Sequence, residues 1–114
     1  MADIFTGIAG IGSSSIIGNI SRLSVAQVKP GDYIDIDISF EASNPGALYW
    51  KLFLVAMDNL GNKELVQATR VLGGSFTKSD RYRLWKMPSQ TITIDVRLFG
   101  HDDAAYDWHW SDWR

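Results

Sequence analysis

The densest group of chemistry-bearing side chains is His101, Asp102, Asp103, Asp107 and His109, close to the C-terminal end. Two carboxylates in one turn offer hard oxygen ligands of the kind Ca²⁺ takes, and an imidazole beside them suits a transition metal. No EF-hand loop and no HExxH spacing surrounds them. Asp and His are also ordinary turn and exposed-strand residues. His101, Asp102 and Asp103 are therefore weak metal candidates, and the expectation is that the protein carries no cofactor.

Nucleophilic catalysis finds less support. A hydrolytic triad needs a nucleophile, a base and an orienting acid within mutual reach. Serines are plentiful, but none sits in a nucleophile-elbow sequence. The glycines of "GIAGIG" lack the strand-to-helix setting in which a Gly-rich loop cradles phosphate. The expectation is a protein that is not an enzyme. A small enzyme using the His101/His109 region is the third reading considered.

The five tryptophans call for an explanation. Trp50 lies within a strongly apolar run and is expected in a core. Trp85, Trp108, Trp110 and Trp113 fit three settings: the core, a protein interface, or an exposed platform that stacks on sugar rings. The third setting gives the alternative functional reading, a carbohydrate-binding module built on the Trp-rich C-terminal strand.

The elements that must position these residues read as strands. The 114 residues suit one domain, and the hydrophobic fraction of 46% is that of a globular chain. Eleven basic against thirteen acidic residues give a net charge of −2. No basic field is present to hold a phosphate backbone, so nucleic acid is not an expected partner. Without cysteine there is no disulfide and no thiolate chemistry. The acidic Met-Ala-Asp start predicts no signal peptide.

From Ser21 onward, strand-like runs alternate with turn signals, a rhythm that predicts a sandwich or barrel. The first run is "RLSVAQV", closed by Lys29-Pro30-Gly31-Asp32. "YIDIDISFEA" alternates perfectly: Ile34, Ile36, Ile38 and Phe40 face one way, while Asp35 and Asp37 face water. "ALYWKLFLVAMD" is apolar on both faces and predicts a central strand whose outer face is covered. "DNLGN" predicts a tight hairpin into "KELVQATRVL". "SFTKSDRYRLWKM" follows. "QTITIDVRLF" alternates again, with Asp95 on its solvated face, and "YDWHWSDW" is the seventh expected strand.

Two stretches, "VKPGDYIDIDISFEASNPG" before a Trp-containing strand and "MPSQTITIDVRLFGHD" before an aromatic finish, resemble the immunoglobulin-like β-sandwich domains, and among them the CARDB-like group. The resemblance covers about residues 21–114. It implies a seven-stranded antiparallel Ig-like sandwich, of a kind found in cell-surface proteins and in phage or virus particles. It brings no catalytic motif.

The opening segment, residues 1–20, is the best pointer to function. No charge interrupts it between Asp3 and Arg22, and it is rich in Ile, Gly and Ser. Such apolar side chains need burial. An extended apolar segment can add to an open sheet edge or lie in a groove of another molecule. Four readings compete for it: a disordered tail, one more strand or short helix of the domain itself, a membrane anchor, and an arm that docks on a neighbouring molecule; the expectation is the arm, an assembly segment with Ile4, Phe5, Ile8, Ile11, Ile16, Ile17 and Ile20 as its buried contacts. Burying five or six of them in a neighbour would contribute roughly 8–15 kcal/mol before ordering costs.

The expected architecture is thus an apolar arm over 1–20 and an all-β domain over 21–114. The expected function is non-enzymatic assembly, with copies of itself or other structural proteins as partners, in a virion or at an extracellular surface. Contact of the arm with a membrane is the lesser alternative.

Overall fold

The computed structural model describes residues 2–8, 16–26 and 28–113. Of 2–8 it describes the backbone and its pairing. The chain is all-β and builds two sheets around a shared core. The strands are β1 (Ala2–Ile8), β2 (Ile17–Val25), β3 (Tyr33–Ser43), β4 (Tyr49–Asp58), β5 (Lys63–Leu72), β6 (Ser75–Lys86) and β7 (Ile92–His101). The larger sheet has the order β1-β7-β4-β5 and the smaller one β2-β3-β6. Strand β1 runs parallel to β7, and the other pairings are antiparallel.

The alternation seen in the sequence sets the inner faces. Ile34, Ile36, Ile38 and Phe40 of β3 lie buried against Trp50, Leu52 and Leu54 of β4 and Ile92, Ile94, Val96 and Leu98 of β7 within one cluster. The Trp50 indole N–H donates to the Gly73 carbonyl at 2.8 Å, which satisfies the polar end of the largest core ring. Gly73 has φ +87°, a left-handed conformation that its lack of a Cβ makes accessible.

The hairpin expected at "DNLGN" forms between β4 and β5. Asp58 at its head is only 5% exposed, yet its carboxylate is well partnered. Oδ1 accepts the backbone N–H groups of Leu60 and Asn62, both at 2.9 Å, and Oδ2 accepts the Asn62 side-chain amide at 2.9 Å. This is a turn built from an Asx carboxylate, with its charge held by three donors.

Six of the seven strands expected between 21 and 114 form. The seventh does not. Residues 106–113 are not a strand; they curl through a 3₁₀ turn at Trp110–Asp112. The edge of β7 that a following strand would pair with is already taken by β1, because β7 has β4 on its other side. Local bonds curl the segment. The Tyr106 hydroxyl donates to both Asp112 carboxylate oxygens at 3.1 and 2.9 Å, and Asp112 Oδ2 accepts the His109 backbone N–H at 3.1 Å.

The first strand also differs from expectation in its bounds. β2 starts at Ile17 and ends at Val25, so the boundary placed between residues 20 and 21 falls inside it. A register shift between Ile20 and Arg22 leaves Ser21 as the odd residue, a bulge in an edge strand.

Candidate functional site

The candidate site is the seam where residues before β3 meet β7. Strand β7 has the sequence ITIDVRLFGH, and its even-numbered residues Ile92, Ile94, Val96 and Leu98 point into the core. Ile94 and Val96 have no exposed surface. One side of β7 bonds to β4 from Ile94 to His101. The other side takes β1, in a register that runs from Ala2 opposite Ile92 to Ile8 opposite Leu98. Ile4 stands opposite Ile94 and Phe5 opposite Asp95. Without β1 this central, fully packed strand would present an open row of N–H and C=O groups at the border of the core.

The rest of the expected arm is divided between positions. Ile16 lies against β7: a Cβ placed on Gly100 would come within 2.7 Å of Ile16 Cγ2 and 2.8 Å of Cδ1. Ile16 and Ile20 are partly buried against the main core. Ile17 points outward and is 67% exposed, beside Ser43, Ser75 and Thr77 on the outer face of the smaller sheet. Ile11 lies outside the described residues.

The tryptophans of the C-terminal segment cover the larger sheet. Phe53, Val55 and Phe99 face outward from β4 and β7 and are buried, with Tyr106, Trp108, Trp110 and Trp113 packed over them. Trp108 meets Phe99 at 4.8 Å and Phe53 at 5.6 Å between ring centroids. Arg97 lies over Trp113 at 4.3 Å and Lys63 over Trp110 at 4.7 Å. Cations over indole faces add to the hold on the segment. The structure thus uses these rings as a second, smaller core, in agreement with the covered outer face expected for β4. Trp85 packs at the margin of the main core. The Nε1 atoms of Trp85 and Trp108 are buried and have no hydrogen-bond partner among the described residues.

Three members of the His/Asp group, His101, Asp102 and Asp103, hold the turn after β7. His101 Nδ1 accepts the Asp103 N–H at 3.0 Å, and its ring stacks on Tyr106 at 3.9 Å. Asp102 Oδ1 accepts the Asn44 side-chain amide at 2.8 Å, and Asp103 Oδ1 accepts the Ala105 N–H at 2.9 Å. Among the described residues no three His, Cys, Asp or Glu side chains come together as a metal site.

The outer face of the smaller sheet carries ion pairs that sequence reasoning left as a plain solvated face. Asp37 and Arg81 are direct cross-strand partners and bond through two contacts of 2.9 and 3.0 Å. Asp35 and Arg83 meet at 3.2 Å. The Arg81 guanidinium holds the Asp37 carboxyl below the usual carboxylate range, and Arg81 is raised in turn. Tyr82 is pushed up by burial, and its hydroxyl bonds to Gln67. The residues that sequence reasoning missed are those whose partners lie far along the chain. The one local signal for β1 is the β-branched character of Ile4, Thr6 and Ile8 at alternate positions.

No known family model, curated protein or solved structure matches this chain.

Proposed function

We propose that the protein is a non-enzymatic structural subunit, an Ig-like β-sandwich that joins copies of itself through its N-terminal strand. The observation that carries this reading is the position of β1. A terminal strand adds in parallel to β7 of its own chain at the edge of the larger sheet, and among the described residues β7 is the one strand it pairs with. An edge addition of this kind is how one chain recognises another through main-chain hydrogen bonds.

The Ig-like reading is supported by strand order. The first, second and fifth strands of the unit after β1 form one sheet, and the third, fourth and sixth form the other. Ig-type sandwiches likewise set the first, second and fifth strands in one sheet and the third and sixth in the other, with a last strand beside the sixth; the fourth strand, which constant-type domains place with the first sheet, here pairs with the third. Here the place of that last strand is held by β1. An incomplete sandwich finished by a terminal extension suits a subunit of a particle or filament. The setting we propose for such a subunit is a virion or an extracellular assembly.

Light scattering on the intact chain across a concentration series tests the function. A mass that rises to several subunits supports it. A particle of 12.8 kDa at every concentration contradicts it.

A further inference from the structure

We propose that the β5 border of the larger sheet, on its outer face, is a docking surface for an extended acidic peptide segment of a partner protein. This border is the one opposite β1, so the surface is separate from the strand that joins copies.

The first observation is a row of basic side chains. Across β7, β4 and β5 the register sets His101, Lys51 and Arg70 side by side, with Lys51 in the middle. Like charges directly opposite each other on neighbouring strands repel. Other cations of this face are partnered: Arg97 meets Asp95 at 2.6 Å and lies over Trp113, and Lys63 lies over Trp110 at 4.7 Å. Arg70 has the ring of Tyr49 at 4.8 Å but no carboxylate among the described residues. Lys51 has no hydrogen-bond, ion-pair or ring partner among the described residues. A charge on an edge strand guards that edge, and Arg70 on β5 serves this purpose. Lys51 stands one strand inside, half-buried between Tyr49 and Phe53, where it guards no edge. The row lacks an anion, and a partner's carboxylate supplies one.

The second observation is an apolar step beside the row. Tyr49 and Leu72 are cross-strand partners two residues from Lys51 and Arg70, and they are 51% and 69% exposed. The third is an open edge. β5 stands last in the order β1-β7-β4-β5 and, among the described residues, pairs with β4 alone.

These features fit an added strand, whose main chain extends the ladder at β5. Its side chains alternate, so a Glu in the row of Arg70 brings an apolar residue two positions away beside Leu72. Two strand spacings, about 10 Å, separate that Glu from Lys51, a gap the two long side chains close between them. A phosphate backbone or a lipid surface offers no main chain to such an edge.

The probe is the heptapeptide Ser-Val-Ser-Glu-Ser-Val-Ser with a terminal fluorophore, titrated into the full chain and followed by fluorescence anisotropy. It is expected to bind, and Gln or Lys in place of its central Glu should weaken binding about fivefold or more. Lys51→Gln and Arg70→Gln should each weaken it about fivefold, while Lys63→Gln, at the far end of the same face, leaves it unchanged. Circular dichroism checks that each variant is folded, and the peptide series on the unsubstituted chain needs no variant at all.

Absence of binding, equal affinity for the Glu, Gln and Lys peptides, or full binding by both Lys51→Gln and Arg70→Gln overturns the proposal. Binding of phosphatidylserine vesicles or of a thymidine oligonucleotide in place of the peptide also overturns it. So does a fall in oligomer mass in the Lys51→Gln/Arg70→Gln chain, which would make a second copy the occupant. Failure of the peptide leaves the β1 reading standing, because light scattering on the intact chain decides that one separately.

Discussion

Ile16 packs so closely on Gly100 that a side chain at position 100 would run into it. A methyl group there would sit 2.7 Å from Ile16 Cγ2. Ile16 is the residue just before β2, and Gly100 is near the end of β7. The contact therefore ties the start of one sheet to the strand that accepts β1 in the other.

Gly100→Ala is expected to destabilise the fold by about 1–3 kcal/mol through overpacking. Ile16→Ala removes part of a half-buried side chain and costs about 1–3 kcal/mol on its own. Together the two changes should cost less than their sum, because the added methyl enters the space that the shortened side chain vacates. Chemical denaturation of the four proteins in this cycle reads the coupling. Strict additivity would contradict the contact.

Asp58 supports the β4–β5 hairpin with three accepted hydrogen bonds while almost wholly buried. Asp58→Ala leaves the Leu60 and Asn62 donors without that acceptor and should cost about 2–3 kcal/mol. Asp58→Asn keeps one carbonyl oxygen for the two backbone N–H groups but presents an amide to the Asn62 amide. Its loss should fall between wild type and Asp58→Ala in the same denaturation series.

The Asp37–Arg81 pair gives stability a pH signature. Asp37 has its folded pKa lowered, first by the hydrogen bond from Arg81. A lowered carboxylate pKa contributes stability that is present above the unfolded value and lost as pH falls through the folded one. The melting temperature of wild type should exceed that of Asp37→Asn at neutral pH. The gap should close as pH drops below the ordinary carboxylate range, and added salt should narrow it at neutral pH because the pair is solvent-exposed. A gap that persists unchanged into acid would contradict the assignment.

The aromatic segment should behave as a lid with one removable polar group. Trp108→Ala strips ring contacts with Phe53 and Phe99 and should cost about 2–4 kcal/mol. Trp108→Phe keeps a ring there and discards an indole N–H with no partner among the described residues, so its effect should be under about 1.5 kcal/mol. The Tyr106 hydroxyl is held above the usual phenol range, first by its hydrogen bond to the Asp112 carboxylate. Its contribution is full below the unfolded pKa and is lost as pH rises through the raised folded one. Any stability advantage over Tyr106→Phe should therefore disappear in strong alkali, as read by melting temperature alongside tyrosinate absorbance.

How much of this was readable beforehand varies by element. β3 and β7 were legible because alternation over many residues has one structural meaning when one face is buried and the other wet. The hairpin at Asp58 was legible as a turn, but the burial of its carboxylate was not, since that depends on what packs around it. Tyr106, Trp108 and Trp110 alternate as a strand would, yet an extended lid over an apolar sheet face needs the same pattern. Only the occupation of the β7 edge by residues 2–8 separates the two. That pairing spans about ninety positions of sequence, as the register Ala2 opposite Ile92 shows, and no local pattern encodes it. The Asp37–Arg81 pair was hidden for the same reason, being 44 positions apart.

The most direct test of β1 as the joining element is a reversible lock on it. In the Asp3→Cys/Thr93→Cys chain, oxidation in dilute solution fixes β1 to its own β7, and reduction frees it. Light scattering of the two states at one high concentration should show a single subunit when locked and a multi-subunit mass, equal to that of the unsubstituted chain, when reduced. The same mass in both states would contradict the account.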